Sequence, residues 1–136
     1  MTARSQVRQL RVVVRADDYD AAVAFYRDTL GLPERASYQT GDAQVMILEA
    51  GVATFEIANP AQVRLIDDVE VGHPASPHIR IAFEVDEVES HTRACVDAGA
   101  DLIAAPTLTP WNSNNSRLSA PAGLQLTLFQ ELASDD

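Results

Sequence analysis

Two arginines stand at matching places in this sequence. Arg11 lies six residues before Asp17 in RQLRVVVRADDYDAA, and Arg80 lies six residues before Asp86 in SPHIRIAFEVDEVES. A guanidinium stays protonated and has no free lone pair, so it cannot ligate a metal. It is suited instead to a carboxylate, phosphate or enolate, which it holds through paired N–H donors. His78, two residues before Arg80, could supply one metal ligand, although a histidine beside a proline at the start of a strand is more often structural or exposed. His73 falls in a linker and His91 on a helix, and both are expected to be solvated. Cys95 is the single cysteine, which excludes an internal disulfide and any paired-cysteine zinc site. Its place on the inner face of a helix makes it an inert thiol. Trp111 follows Pro110 in TPWNSNNS, where it either stacks on a planar ligand or pins the loop. Tyr38 and Met46 either line an apolar wall or join the core. No Ser-His-Asp set, phosphate-binding loop or dinucleotide glycine motif is present.

The elements that must position these residues follow from periodicity and turn signals. VRQLRVVVRA alternates and is rich in branched residues, the mark of a strand. Asp17 or Asp18 can cap the helix YDAAVAFYRDTL, whose Tyr19, Ala22, Val23, Tyr26 and Leu30 share one face, and Gly31 ends it. Strands are expected over ERASYQT, QVMILEA and VATFEIA, with turns at Gly41 and Gly51. Pro60 opens a short helix with Val63, Ile66 and Val69 inward, and Gly72, Pro74 and Pro77 make a linker. The second half repeats the order. PHIRIAFEV is a strand, and Asp86 caps a helix with Val88, Thr92, Cys95 and Val96 inward that Gly99 ends. ADLIAAP, NSRLSA and GLQLTLFQ are strands. The step from Arg11 to Arg80 equals that from Asp17 to Asp86, so the chain reads as one βαβββ unit written twice: residues 1–59, a linker with a short helix at 60–77, and residues 78–136. Alternation sets Arg80, His78 and Ala82 on one face of their strand. It sets Gln125, Thr127 and Phe129 on one face of the last strand, with Leu124, Leu126 and Leu128 packed away.

Length, composition and charge set the bounds. The chain has 136 residues, 46% of them hydrophobic, enough for a core. No run approaches the roughly 18 apolar residues of a membrane span. The start MTARSQVRQL lacks an apolar signal core, so a cytoplasmic protein is expected. A net charge of −10 makes nucleic acid and anionic membrane poor partners.

DDYDAAVAFYRDTLGL, IAFEVDEVESHTRACVDAGADL and TPWNSNNSRLSAPAGLQLTLFQ together resemble the vicinal oxygen chelate superfamily, which includes glyoxalase I, extradiol dioxygenases and bleomycin-resistance proteins. The resemblance covers nearly the whole chain. It implies an α+β fold in which two βαβββ modules form curled mixed sheets around a cup. It also implies four metal-ligand positions, on the first and last strands of each half, typically held by His, Gln or Glu. Here they fall on Arg11, Glu56, Arg80 and Thr127. Only Glu56 keeps a ligand type, and a neutral threonine hydroxyl is a poor ligand for iron, nickel or zinc. Arg11, Glu56 and Arg80 could form an ion triad across the cup floor.

The favoured expectation is a metal-free small-molecule-binding protein of the drug-sequestering, bleomycin-resistance-like kind, needing no cofactor. Its ligand would meet Arg11, Glu56, Arg80, Trp111, Thr127, His78 and Gln125. The alternative is a divalent-metal-dependent lyase, isomerase or dioxygenase of the glyoxalase type. A third reading is a structural or regulatory module whose cup is closed by its own charges. A homodimer is expected, since bare sheet edges are a liability and members of this family commonly pair.

Overall fold

The structure, a computed structural model, describes residues 12, 14, 16–53 and 60–132, with the Pro60 side chain excepted. The strand expected at 7–16 and that at 52–58 lie largely outside the described residues. Among the described residues the architecture is mixed α+β, with sheets not closed into a barrel.

The first helix, α1 (Tyr19–Val23), starts where Asp18 accepts a hydrogen bond from the Ala21 amide at 3.1 Å. It runs on as a π-helical stretch, Ala24–Thr29. There the Leu30 amide reaches back five residues to the Phe25 carbonyl at 2.9 Å. The wider turn lets two neighbouring aromatics, Phe25 and Tyr26, both enter the core, where a regular helix face would take Tyr26 and leave Phe25 at its margin. Gly31, at φ 78°, ends the segment in the left-handed region. Strands β1 (Glu34–Thr40) and β2 (Ala43–Leu48) then form an antiparallel hairpin around Gly41.

Helix α2 (Pro60–Glu70) follows. Val63, Ile66 and Val69 are only half-buried on it, and its buried residues are Asp67 and Glu70. The inward stripe therefore carries two carboxylates, which the apolar pattern did not foretell.

The second half completes strand, helix and three strands: β3 (Ile81–Glu84), α3 (Val88–Asp97), β4 (Asp101–Leu108), β5 (Ser113–Ala120) and β6 (Leu124–Glu131). The sheet order is β3-β6-β5-β4, with β3 parallel to β6 and the other pairs antiparallel. Strand β3 is shorter than its sequence pattern, because residues 76–80 run outside the ladder. Asp86 does not cap α3. The capping position is Glu87, without a side-chain bond, and the Val88 amide is instead held by Gln130 Oε1 at 3.0 Å, from β6. Val88, Thr92 and Cys95 are buried as expected, whereas Val96 is exposed.

One core joins the halves. Phe25, Tyr26 and Leu30 pack with Val88, Cys95, Ala100, Leu118, Leu126 and Leu128. The first helix and α3 thus lie on the same face of the four-stranded sheet, with Ile81, Phe83 and Leu124 packed at its margin. That apolar face is what turns the polar side chains of β5 and β6 the other way.

Candidate functional site

On the face turned away from α3, the strand register lines up Ala82, Thr127, Arg117 and Ala104 in one row. Arg80, two residues before Ala82, shares this face. Its Nη1 donates a hydrogen bond to Thr127 Oγ1. Two of the residues singled out from the sequence are thereby brought into direct contact. Arg80 is half-buried, and Thr127 is almost fully so.

Beside them lies a buried charge cluster that the sequence reading missed. Arg117 on β5 has 0% exposure. Its Nη1 donates to Asp67 Oδ1 at 3.0 Å and to Gln125 Oε1 at 2.9 Å, and its Nη2 donates to Glu70 Oε1 at 2.8 Å. Asn115 Nδ2 donates to the other oxygen of Glu70 at 2.8 Å. Asp67 also accepts from the Ala75 and Ser76 amides and from Ser76 Oγ. Burial alone would raise its pKa. The bonds from Ala75, Ser76 and Arg117 outweigh that and hold it down at about 2. Among the described residues, Arg117 Nε and Asn115 Oδ1 find no partner in the cluster. The signal was present in the sequence: positions 63, 66, 67 and 70 share one helix face, so a carboxylate pair rides the apolar stripe.

The other expected site residues are spread more widely. Gln125 is committed, accepting from Arg117 and donating to the Ala75 carbonyl at 2.8 Å. His78 is exposed ahead of β3. Trp111 is 45% exposed in the turn between β4 and β5. That turn is held by Thr109, which bonds Ser113, and by Asn112, which bonds the Leu132 backbone. Ser113 pairs with Glu131, four residues or about 13 Å along β6 from Thr127, and Trp111 lies two residues before Ser113 in the turn at that end. Arg11 and Glu56 lie outside the described residues. His73 is exposed and His91 half-buried, the latter with its Nδ1 at the Glu87 carbonyl. Cys95 is fully buried, and burial pushes its thiol up to about 11, so it is no nucleophile near neutrality.

The donor chemistry here does not fit a divalent metal. A guanidinium donates and cannot ligate, and the Thr127 oxygen it reaches is neutral. Among the described residues, no group of three or more His, Cys, Asp or Glu is placed to hold a metal ion. Nor is any described helix long and apolar enough to cross a membrane.

The fold has solved counterparts. A glyoxalase family protein from Bacillus cereus is 15% identical, with 96% of this chain and all (100%) of that one covered at a TM-score of 0.60. A protein of unknown function from Agrobacterium tumefaciens is 19% identical, covering 93% of this chain and 98% of its own at 0.57. A glyoxalase-related enzyme from Fulvimarina pelagi is 16% identical, covering 92% and 89% at 0.56. At these identities the likeness shows the fold. No curated protein matches the chain. A family model described as the Glyoxalase/Bleomycin resistance protein/Dioxygenase superfamily matches residues 8–128, which span both halves, the core that joins them and the Arg80–Thr127 contact. By that match and by its fold, the chain belongs to the glyoxalase/bleomycin resistance protein/dioxygenase superfamily.

Proposed function

We propose that this protein binds a small anionic or electron-rich molecule in the cup of the fold, without a divalent metal, and serves to sequester it. The observation that carries this reading is the hydrogen bond from Arg80 to Thr127. Two of the four positions that the family resemblance assigns to metal ligands are a donor-only cation and a neutral hydroxyl, in contact with each other. Arg11 would present a second guanidinium from the first half, with Glu56 between the two. Two guanidiniums to one carboxylate leave a local surplus of positive charge in a chain of net charge −10. Gln125 would shape the floor through Arg117 instead of touching the ligand. Trp111 would reach only the far end of a long, flat ligand, and His78 would stand at the rim. The protein would act in the cytoplasm as a homodimer.

Purified protein should carry no stoichiometric zinc, iron, nickel or manganese by elemental analysis. Mass spectrometry under non-denaturing conditions, after incubation with a small-molecule mixture, should show an anionic compound retained by the wild type and lost from Arg80→Gln. Arg80→Gln should melt close to wild type, as for a partly exposed pair worth about 0–1 kcal/mol. Near one equivalent of metal, removed by Glu56→Ala, would replace this reading with that of a metal enzyme.

A further inference from the structure

A cleft of about 440 Å³ runs between the first helix and the β1–β2 hairpin. Its helical wall includes Tyr19, Asp20, Val23 and Arg27, and its hairpin wall includes Tyr38 and Met46. The volume lies in the range of small-molecule sites, about 300–1,000 Å³. The helical residues that line it form a stripe distinct from Ala22, Phe25, Tyr26 and Leu30, which enter the core. The cleft is therefore a feature of the helix's second face.

The charges around it are unbalanced. Arg27 Nε lies 2.9 Å from Asp28, and its Nη1 lies 3.2 Å from Glu34, so its positive charge is already met by two carboxylates. Among the described residues no cation pairs with Asp20. Of the lining residues only Asp20 and Arg27 carry charge. With Arg27 met by Asp28 and Glu34 from outside the lining, the Asp20 carboxylate is left unmatched, on a chain whose overall charge of −10 draws cations toward it. Two phenol rings, a thioether and a branched aliphatic side chain share the walls with Ala24 and the polar Ser37, Gln39 and Gln44. Aromatic faces attract an organic ammonium, and a thioether packs adaptably against an apolar body. An anion would meet the wrong sign of charge here.

We infer that this cleft is a second binding site, selective for a small organic cation, with Asp20 as the counter-ion and the Tyr19 and Tyr38 rings as the cation's walls. The inference is independent of the anion-binding reading of the cup. The probes are choline, its uncharged carbon isostere 3,3-dimethylbutan-1-ol, and benzyltrimethylammonium, titrated into ¹⁵N-labelled full-length protein. Amide shifts should move in residues 19–27 and 37–46. The isostere should bind at least about fivefold more weakly than choline. Asp20→Asn and Tyr38→Leu, both at exposed positions, should each weaken benzyltrimethylammonium by a similar factor, while Arg80→Gln leaves it unchanged. Three results would overturn the inference: equal binding of choline and its isostere, unchanged affinity in Asp20→Asn, or no shift in these residues at about 10 mM benzyltrimethylammonium.

Discussion

Arg117 is a fully buried cation with two buried anions against it, and such groups are held on narrow terms. Removing one partner of a buried ion pair leaves an uncompensated charge, at about 3–5 kcal/mol. Arg117→Met should lose about that much in denaturant unfolding, because Asp67 and Glu70 are then stranded. Adding Asp67→Leu and Glu70→Leu to the same chain should recover much of the loss, since a well-packed apolar replacement of a buried charge set is often neutral. Asp67 makes the cluster sensitive to acid. Its carboxyl titrates at about 2 when folded against an ordinary 3.8. A depressed pKa stabilises the fold above the unfolded value and ceases to do so as pH falls through the folded one. The contribution, about 2 kcal/mol by linkage, should be complete above about pH 4 and fade toward about pH 2. Unfolding curves across that range should show the drop in the wild type and a flatter profile in Asp67→Asn. None of this was legible around Arg117 itself, where NSRLSA looks like an ordinary half-exposed polar strand. A guanidinium inside a hydroxyl-rich strand declares nothing about burial until its partners are known, and those sit some fifty residues earlier on another element.

The elements were easier to read than the site because their signals are local. The hairpin at Gly41, the ends of the helices at Gly31 and Gly99, and the inward Leu126 and Leu128 each follow from a turn residue or from alternation within a few positions. The readings that failed were those in which a distant partner decided. The start of α3 looked self-capped by Asp86, yet its first amide is bound by Gln130 across the sheet. Gln130→Ala should therefore destabilise the protein by about 1 kcal/mol, as loss of a helix cap does, whereas Asp86→Ala should stay within about 0.5 kcal/mol. Thermal unfolding of the two variants side by side separates the cases. The π-helical turn likewise could not be read from a 3.6-residue period. It shows in the bond from the Leu30 amide to the Phe25 carbonyl and in the burial of both Phe25 and Tyr26, which pack edge to face with ring centroids 5.0 Å apart.

At the scale of the whole molecule, the two halves meet through a shared apolar core on one side of the second sheet, while α2 grips the opposite side through Arg117 and Asn115. The second half's order of strand, helix and three strands was legible from local periodicity and turn residues. Strand parity set Arg80 and Thr127 each on one face of its strand, but the hydrogen bond between them was not foreseen. The grip of α2 was signalled only by Asp67 and Glu70 on its inward stripe, and it was missed because the stretch around it has the glycine and proline content of a passive tether.

That grip says where the chain can be divided. A tether can be cut anywhere, but α2 carries the counter-charges of a residue in the second half and so belongs to that half's inheritance. If the protein arose by joining two copies of one gene, a seam that respects buried charge lies before Pro60 and not after Pro77. Co-expressed fragments 1–59 and 60–136 should reassemble into a soluble complex on size-exclusion chromatography. Fragments 1–77 and 78–136 divide the buried ions between two polypeptides, and should reassemble more weakly or precipitate, because Arg117 must then wait for its anions to arrive from another chain.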